Sequence, residues 1–530
     1  MNLQPMDVTV IGGGFAGLAS AGLLARTGHR VTLLEQGQQL GGRAGRLQRE
    51  GFSFDTGPSW YLMPEVFEHW FELMGSSTSQ ALDLRSLKTS YRVFFEDHEP
   101  EDLAPDTAGD VFERLEPGAG ERLASYLRQA CESYDLALEH FLYDDFARAS
   151  SLLATPILRR GGTLLPLLAR SLKTHTAKAF TDHRLRQILG YPAVFLGSSP
   201  QRTPALYHLM SHLDLTQGVQ YPMGGFSALV DAMEQLVRTA GVTIITGARA
   251  TGIHTEEAGG AVSAVQWVDG AGAIHQSRAQ AVVGAADLHH LESELLPPSL
   301  RSRTQRHWRK ADPGPGAVLA CLGVRGKLPQ LEHHNLLFTR DWDENFARIH
   351  TGEQLQTETS IYACMPSATD PGVAPEGDEN LFLLIPAPAR VDWGRGGADG
   401  EGSVMVERIT DAAIDQLASW SGIQGLRERI VVRQTYGPAD FEATVGAWRG
   451  GALGLAHTLG QSAFLRPANR NPKVPGLYYA GSSVRPGIGI PMCLISGELA
   501  AKAVNRVNAP GPLGMGHLQG TGALGDKVGG

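Results

Sequence analysis

Cysteine is scarce: four among 530 residues, Cys131, Cys321, Cys364 and Cys493, far apart and with no C-x-x-C pair. That pattern predicts neither a zinc cluster nor a disulfide framework, and it suits a reducing compartment. There is no excess of positive charge either. Lys+Arg number 46 against 55 Asp+Glu, a net charge of −9, which argues against nucleic acid as a partner. No window of about 18 or more uncharged apolar residues exists to span a bilayer. The N-terminus lacks a basic region before its first apolar run, so a secretory signal is not expected. No G-x-S-x-G follows a strand, which leaves a serine hydrolase unsupported. Hydrophobic residues at 42% and charged residues at 19% describe a folded chain. The expectation is a cytoplasmic protein whose membrane contact, if any, is peripheral.

Glycine is what the chain has in surplus. Gly 64 and Pro 30 make 94 of 530 residues, against about 12% for the pair in ordinary proteins. Part of the surplus sits where chemistry needs it. Val8-Thr9-Val10-Ile11 is a β-branched run that reads as a buried parallel strand. Gly12-Gly13-Gly14-Phe15-Ala16-Gly17 follows as G-x-G-x-x-G, then a helix over 18–26 ended by Gly28, then the strand 31–34 closing on Glu35. In such a unit Gly12 permits the tight turn and Gly14 the approach of backbone to a pyrophosphate, while Gly17 lets helix and strand pack closely. The helix N-terminus offers free N–H groups to the phosphate, and Glu35 accepts hydrogen bonds from a ribose diol. The complete strand–glycine–helix–strand–acid order predicts a dinucleotide site. Glu35 also argues against a 2′-phosphate, because like charges repel.

Gly41-Gly42-Arg43 lies just past the acid, where a guanidinium and a second glycine pair can reach a dinucleotide phosphate. Phe54-Asp55-Thr56-Gly57-Pro58 comes next, and near the other end Gly481-Ser482-Ser483 leads into Pro486-Gly487-Ile488-Gly489-Ile490-Pro491 and an apolar helix over 492–504. A helix N-terminus there can stabilise negative charge on a bound group. With Met63–Phe67 and Gly197-Ser198-Ser199-Pro200, these segments resemble the bacterial phytoene and carotenoid desaturases of the flavin amine oxidase-like superfamily, over residues 7–507. One departure is Val484-Arg485, where many relatives carry Thr-His.

The resemblance implies an α/β fold: a Rossmann-type, glutathione reductase-like FAD-binding domain with an inserted mixed α+β substrate domain and a helical membrane-facing region. The discontinuous FAD domain is expected at 1–75, 221–290 and 465–508, with the helical part of the substrate domain at 76–220 and its sheet part at 291–464. A disordered tail is expected at 509–530. Non-covalent FAD would be held by Gly12, Gly14, Phe15, Ala16, Gly17, Glu35, Gln36, Gly42, Arg43, Gly57, Pro58, Ser59, Trp60, Ala250, Gly481, Ser482, Gly489, Ile490 and Pro491. The activity implied is desaturation of a carotenoid precursor such as phytoene, by hydride transfer to flavin and proton loss. Its partners would be a long apolar polyene and oxygen or quinone as electron acceptor. A carotenoid isomerase, a 3,4-desaturase, an amine oxidase-like enzyme and a non-catalytic lipid-binding flavoprotein remain alternatives.

No residue is singled out as catalytic base. Residues 146–181 carry six Lys or Arg and no acid, interleaved with leucines. They read equally as a surface for anionic membrane or as helices with a solvated basic face. Asp144 and Asp145 read as a solvated pair. His289-His290 and His333-His334 have no third ligand at helical or hairpin spacing, so they read as surface histidines and no metal is expected.

Overall fold

The computed structural model describes residues 4–146, 166–256, 260–351 and 358–517. The first predicted strand extends over Asp7–Ile11, with Val8, Thr9 and Val10 each no more than 1% exposed. It is the middle strand of a five-stranded sheet ordered Leu477–Tyr479, Ala281–Gly284, Asp7–Ile11, Arg30–Leu34, Thr243–Ile245, with every pairing parallel. Burial on both faces explains why these strands are continuous apolar runs, not alternating ones. Helix Phe15–Arg26 begins three residues before the predicted start. It packs against Phe226–Thr239 and against Ile490–Val504 from the far end of the chain. Gly497 makes that approach possible: a Cβ there would sit 2.8 Å from the Ala16 carbonyl oxygen.

A three-stranded antiparallel meander is formed by Arg249–Thr255, Val262–Val268 and Ile274–Arg278. The largest sheet has seven strands, ordered Ile430–Tyr436, Gly316–Val324, Glu379–Ala387, Ile361–Cys364, His334–Phe338, Tyr91–Phe95, His98–Leu103. Gly316–Val324 is buried throughout. Its alternate residues Ala317, Leu319 and Cys321 join one core with Phe52, Tyr91 and Tyr191, while Val318, Ala320 and Leu322 join another with Ile409, Ile414 and Leu417. That is the period-two alternation of a strand with both faces covered.

Two expectations need correction. The stretch 76–220 is not wholly helical, because Tyr91–Phe95 and His98–Leu103 enter the large sheet, the first parallel to His334–Phe338. His98–Leu103 is a polar edge strand containing Pro100, which an edge tolerates and a hydrophobic pattern does not reveal. The tail is also docked further than expected. Leu513 is buried and donates its backbone N–H to Glu498 Oε1 at 2.6 Å, and Lys502 Nζ donates to the Gly511 carbonyl at 2.7 Å. Residues 518–530 lie outside the described residues.

Of the basic stretch 146–181, residues 147–165 lie outside the described residues. The rest includes helix Leu172–Ala179, capped by the Ser171 side chain, which accepts from Thr174 N–H. Among the described residues no helix is long and apolar enough to cross a membrane.

Candidate functional site

The glycine loop closes tightly on its neighbours. Gly12 adopts φ 103°, and a Cβ there would lie 3.0 Å from the Ala285 carbonyl oxygen. Gly17 sits against the Gly12 carbonyl, with no room for a side chain. Gly14 is the N-cap of helix Phe15–Arg26 and contributes no side chain, so the first N–H groups of that helix, at Phe15, Ala16 and Gly17, have no partner within it. No acid stands in its first turn. The loop therefore presents a partial positive charge.

Glu35 lies under this loop, 9% exposed. Its Oε2 accepts from Gly13 N–H and its Oε1 from Gly37 N–H, both at 2.7 Å. Its backbone carbonyl accepts from Ala248 N–H at 2.8 Å. That bond places buried Ala250, two residues further on, on the strand leaving this acid. Gln36 turns elsewhere, donating to the Thr444 carbonyl at 2.5 Å.

The second glycine pair joins the first. Gly41 N–H donates to the Gly13 carbonyl at 2.9 Å, and a Cβ on Gly42 would lie 3.3 Å from the Gly14 Cα. Arg43 follows with Nε and Nη2 buried and unpartnered. Buried guanidinium nitrogens without an acceptor are costly unless an anion completes them. Gly57 packs directly on the Arg43 carbonyl, and Pro58, Ser59 and Trp60 follow it in the chain, with Trp60 stacked on His334. Asp55, just before, has another task. It accepts from Phe226 N–H at 2.7 Å and Ser227 N–H at 3.2 Å, capping helix Phe226–Thr239, and burial pushes its carboxyl up to about 6.

The C-terminal segment meets the same place. Gly481 lies against Ala16, and its N–H donates to Ser496 Oγ at 3.0 Å, beside Ser482. Gly489, at φ 117°, caps helix Ile490–Val504, which carries Pro491 in its first turn and no acid. Burial pushes the Cys493 thiol in that turn up to about 11, with Arg43 and Arg466 acting in the opposite direction.

Two residues that no motif marks hold this segment in shape. Arg466 is 1% exposed. It donates to the carbonyls of Val484 at 3.0 Å, Gln461 at 2.8 Å, Leu455 at 2.9 Å and Ser482. Burial lowers it to about 10. His457 Nε2 accepts from Ile488 N–H at 3.1 Å, while its Nδ1 pairs with Tyr207 OH at 2.6 Å. Arg485, standing where many relatives carry histidine, reaches the carbonyls of Asp145 and Phe464. Asp145 is half-buried with Arg470 Nη2 at 3.5 Å, so the solvated-pair reading of Asp144 and Asp145 is corrected.

The paired histidines also differ from expectation. His333 and His334 are 3% and 0% exposed, and His289 and His290 are half-buried. Strand pairing of His334 with Cys364 supplies the third partner that chain spacing hides, and ligand atoms of His333, His334 and Cys364 all fall within 4.8 Å. Burial drives His333 down to about 3, His334 well below the ordinary range, and Cys364 up to about 12. Burial thus favours the uncharged forms of all three. His334 Nδ1 pairs with Tyr362 OH at 2.7 Å, and Tyr362 OH with Ser59 Oγ at 2.7 Å.

The model of the family described as flavin containing amine oxidoreductase matches residues 15–505. The chain belongs to the flavin-containing amine oxidoreductase family. Its similarity to a carotenoid 3,4-desaturase of Haloarcula japonica is 40% identity over 95% of this chain and 99% of that one. To the zeta-carotene-forming phytoene desaturase of Myxococcus xanthus it is 32%, over 94% of each. Among solved structures, cyclohexylamine oxidase from Brevibacterium oxydans shares the fold, with a TM-score of 0.59 and 16% identity over 95% of this chain and 99% of that one. In a flavin-containing amine oxidoreductase built on a dinucleotide loop, the cofactor is FAD. The residues present fit it: a cradle at Gly12, Gly17, Gly41 and Gly42 that admits no Cβ without strain, with Gly14 open beside it, and two orphaned Arg43 nitrogens awaiting an anion.

Proposed function

We propose that this protein is an FAD-dependent desaturase that introduces double bonds into a carotenoid or its precursor. What carries the reading is near-full-length similarity to carotenoid desaturases, joined to a cradle that fits FAD. In this reading the glycine loop and the first turn of helix Phe15–Arg26 hold the pyrophosphate. Glu35 holds a ribose, Arg43 lies along the cofactor, and the Gly57–Trp60 turn and Gly489-Ile490-Pro491 face its reactive ring. FAD supplies a two-electron hydride acceptor. The polyene has no polar handle, so the chain must bind it by burying apolar surface, worth about 25 cal/mol per Å2.

The five-stranded sheet and its helices form the FAD-binding domain, and the seven-stranded sheet with the helices over 108–190 forms the inserted substrate domain. The basic stretch 146–181 docks the protein peripherally on an anionic cytoplasmic membrane surface, where such a substrate dissolves. Quinone or oxygen reoxidises the flavin. Liposomes test the docking: changing Arg159, Arg160, Arg170 and Lys173 to Glu is expected to abolish co-sedimentation with anionic vesicles, and unchanged binding contradicts it.

Desaturation is tested with holoprotein and liposomes bearing phytoene or, in parallel, an already conjugated carotenoid. Loss of two mass units per double bond and longer-wavelength absorption support the reading. The conjugated substrate is included because similarity to the 3,4-desaturase is the stronger of the two reported. Altered retention at unchanged mass would assign an isomerase instead.

A further inference from the structure

We propose that Ser59, Tyr362 and His334 form the proton-accepting chain for the carbon–hydrogen bond broken after hydride removal. The proposal rests on the desaturase reading above. Ser59 Oγ lies 2.7 Å from Tyr362 OH, which lies 2.7 Å from His334 Nδ1. Ser59 is half-buried, Tyr362 8% exposed and His334 fully buried, so the chain runs from an open end inward. The open end, Ser59, lies two residues after Gly57, which packs on the Arg43 carbonyl.

Direction follows from chemistry. Burial holds Tyr362 and Cys364 in their protonated forms, and both face Nδ1, with the Cys364 sulfur at 3.7 Å. Two donors converging on one nitrogen make Nδ1 the unprotonated atom and put the ring's own proton on Nε2. Each link can then donate to the next. The ring is held flat against Trp60, centroids 4.5 Å apart and planes 13° apart, and its backbone is fixed in strand register opposite Cys364. Such positioning suits transfer through hydrogen-bond reach.

The step balances. Hydride removal takes a C–H bond and its two electrons to FAD and leaves an allylic cation on the polyene. The neighbouring C–H bond then breaks, and its electron pair becomes the new double bond. Its proton passes to Ser59 Oγ as Ser59's own passes to Tyr362 and Tyr362's to His334 Nδ1. Burial makes His334 a weak base, but a proton beside an allylic cation is acidic enough to need no more.

The test uses holoenzyme with substrate deuterated at the carbon that loses the proton. Tyr362→Phe and His334→Gln are expected to lower turnover about 100-fold and to expose an isotope effect at that carbon that wild type masks. Flavin absorption confirms that each variant is loaded. Should either fail to load, Ser59→Ala and Ser59→Thr decide, since only threonine keeps the hydroxyl. Loss in Ala with rescue in Thr supports the chain, and equal activity overturns it. Active wild type with an equally active, fully loaded Tyr362→Phe overturns the proposal alone. Wild type that desaturates nothing overturns the functional reading and this proposal with it. Stoichiometric zinc on the holoenzyme would make His334 a ligand and also overturn it.

Discussion

Gly17 lies so close to Gly12 that a Cβ on Gly17 would overlap the Gly12 carbonyl oxygen. This contact sets how near helix Phe15–Arg26 comes to the strand Asp7–Ile11, and so where its N–H groups point. Gly17→Ala is expected to lower FAD affinity at least about tenfold, or about 1.4 kcal/mol, read from the flavin-to-protein absorbance ratio after gel filtration. Gly109→Ala is the control. Nothing lies within 4 Å of a Cβ there, and a helical Gly-to-Ala change stabilises by roughly 0.5–1 kcal/mol. A fully loaded Gly17→Ala protein contradicts the account.

Arg43 is the side chain most clearly waiting for the cofactor. Arg43→Met removes two buried donors without acceptors, so apoprotein is expected to be as stable as wild type or more so. The FAD-dependent rise in Tm is expected to shrink. Thermal melts with and without FAD check both signs, and an unchanged FAD effect excludes a phosphate role.

Arg466 binds four carbonyls around the C-terminal loop. Arg466→Met leaves those acceptors unpaired, each costing about 1–3 kcal/mol, and releases the segment 481–489. Loss of several kcal/mol in denaturant unfolding, together with weaker flavin retention, is expected. Arg466→Lys is expected to rescue little, because a point charge cannot reproduce the planar fork.

Asp214 gives a pH signature. Burial pushes its carboxyl from 3.8 up to about 7, although Tyr191 OH donates to Oδ2 at 2.6 Å. The folded state thus holds the proton after the unfolded state has lost it, and this group's contribution to stability falls as pH rises between about 4 and 7. Asp214→Asn removes that dependence. The difference in unfolding free energy, variant minus wild type, is expected to rise by a few kcal/mol across the window. Parallel curves would show that the carboxyl is not desolvated.

The parallel sheet was legible where its strands are short buried runs beside a glycine or an acid, as at Val8–Ile11 before Gly12. The helix expected over 18–26 and the strand over 31–34 fall within Phe15–Arg26 and Arg30–Leu34, because glycines and an acid bound them. His98–Leu103 was not legible, because a polar edge strand has no buried face to pattern. His334 and Cys364 are 30 residues apart and meet only through strand register, which spacing arguments do not see. Arg466 and His457 act through backbone carbonyls and a backbone N–H, and no side-chain motif records that. The cofactor cradle was readable because backbone must touch a ligand there, and glycine is how a sequence writes that requirement.

An FAD-dependent desaturase oxidises its polyene by reducing the flavin. The direct test is one anaerobic turnover of holoenzyme with liposomal carotenoid substrate, following flavin absorption and product mass together. Bleaching of oxidised flavin is expected, matched one-to-one by a product two mass units lighter with longer conjugation. Product of unchanged mass, or flavin that stays oxidised with both phytoene and a conjugated carotenoid, contradicts it.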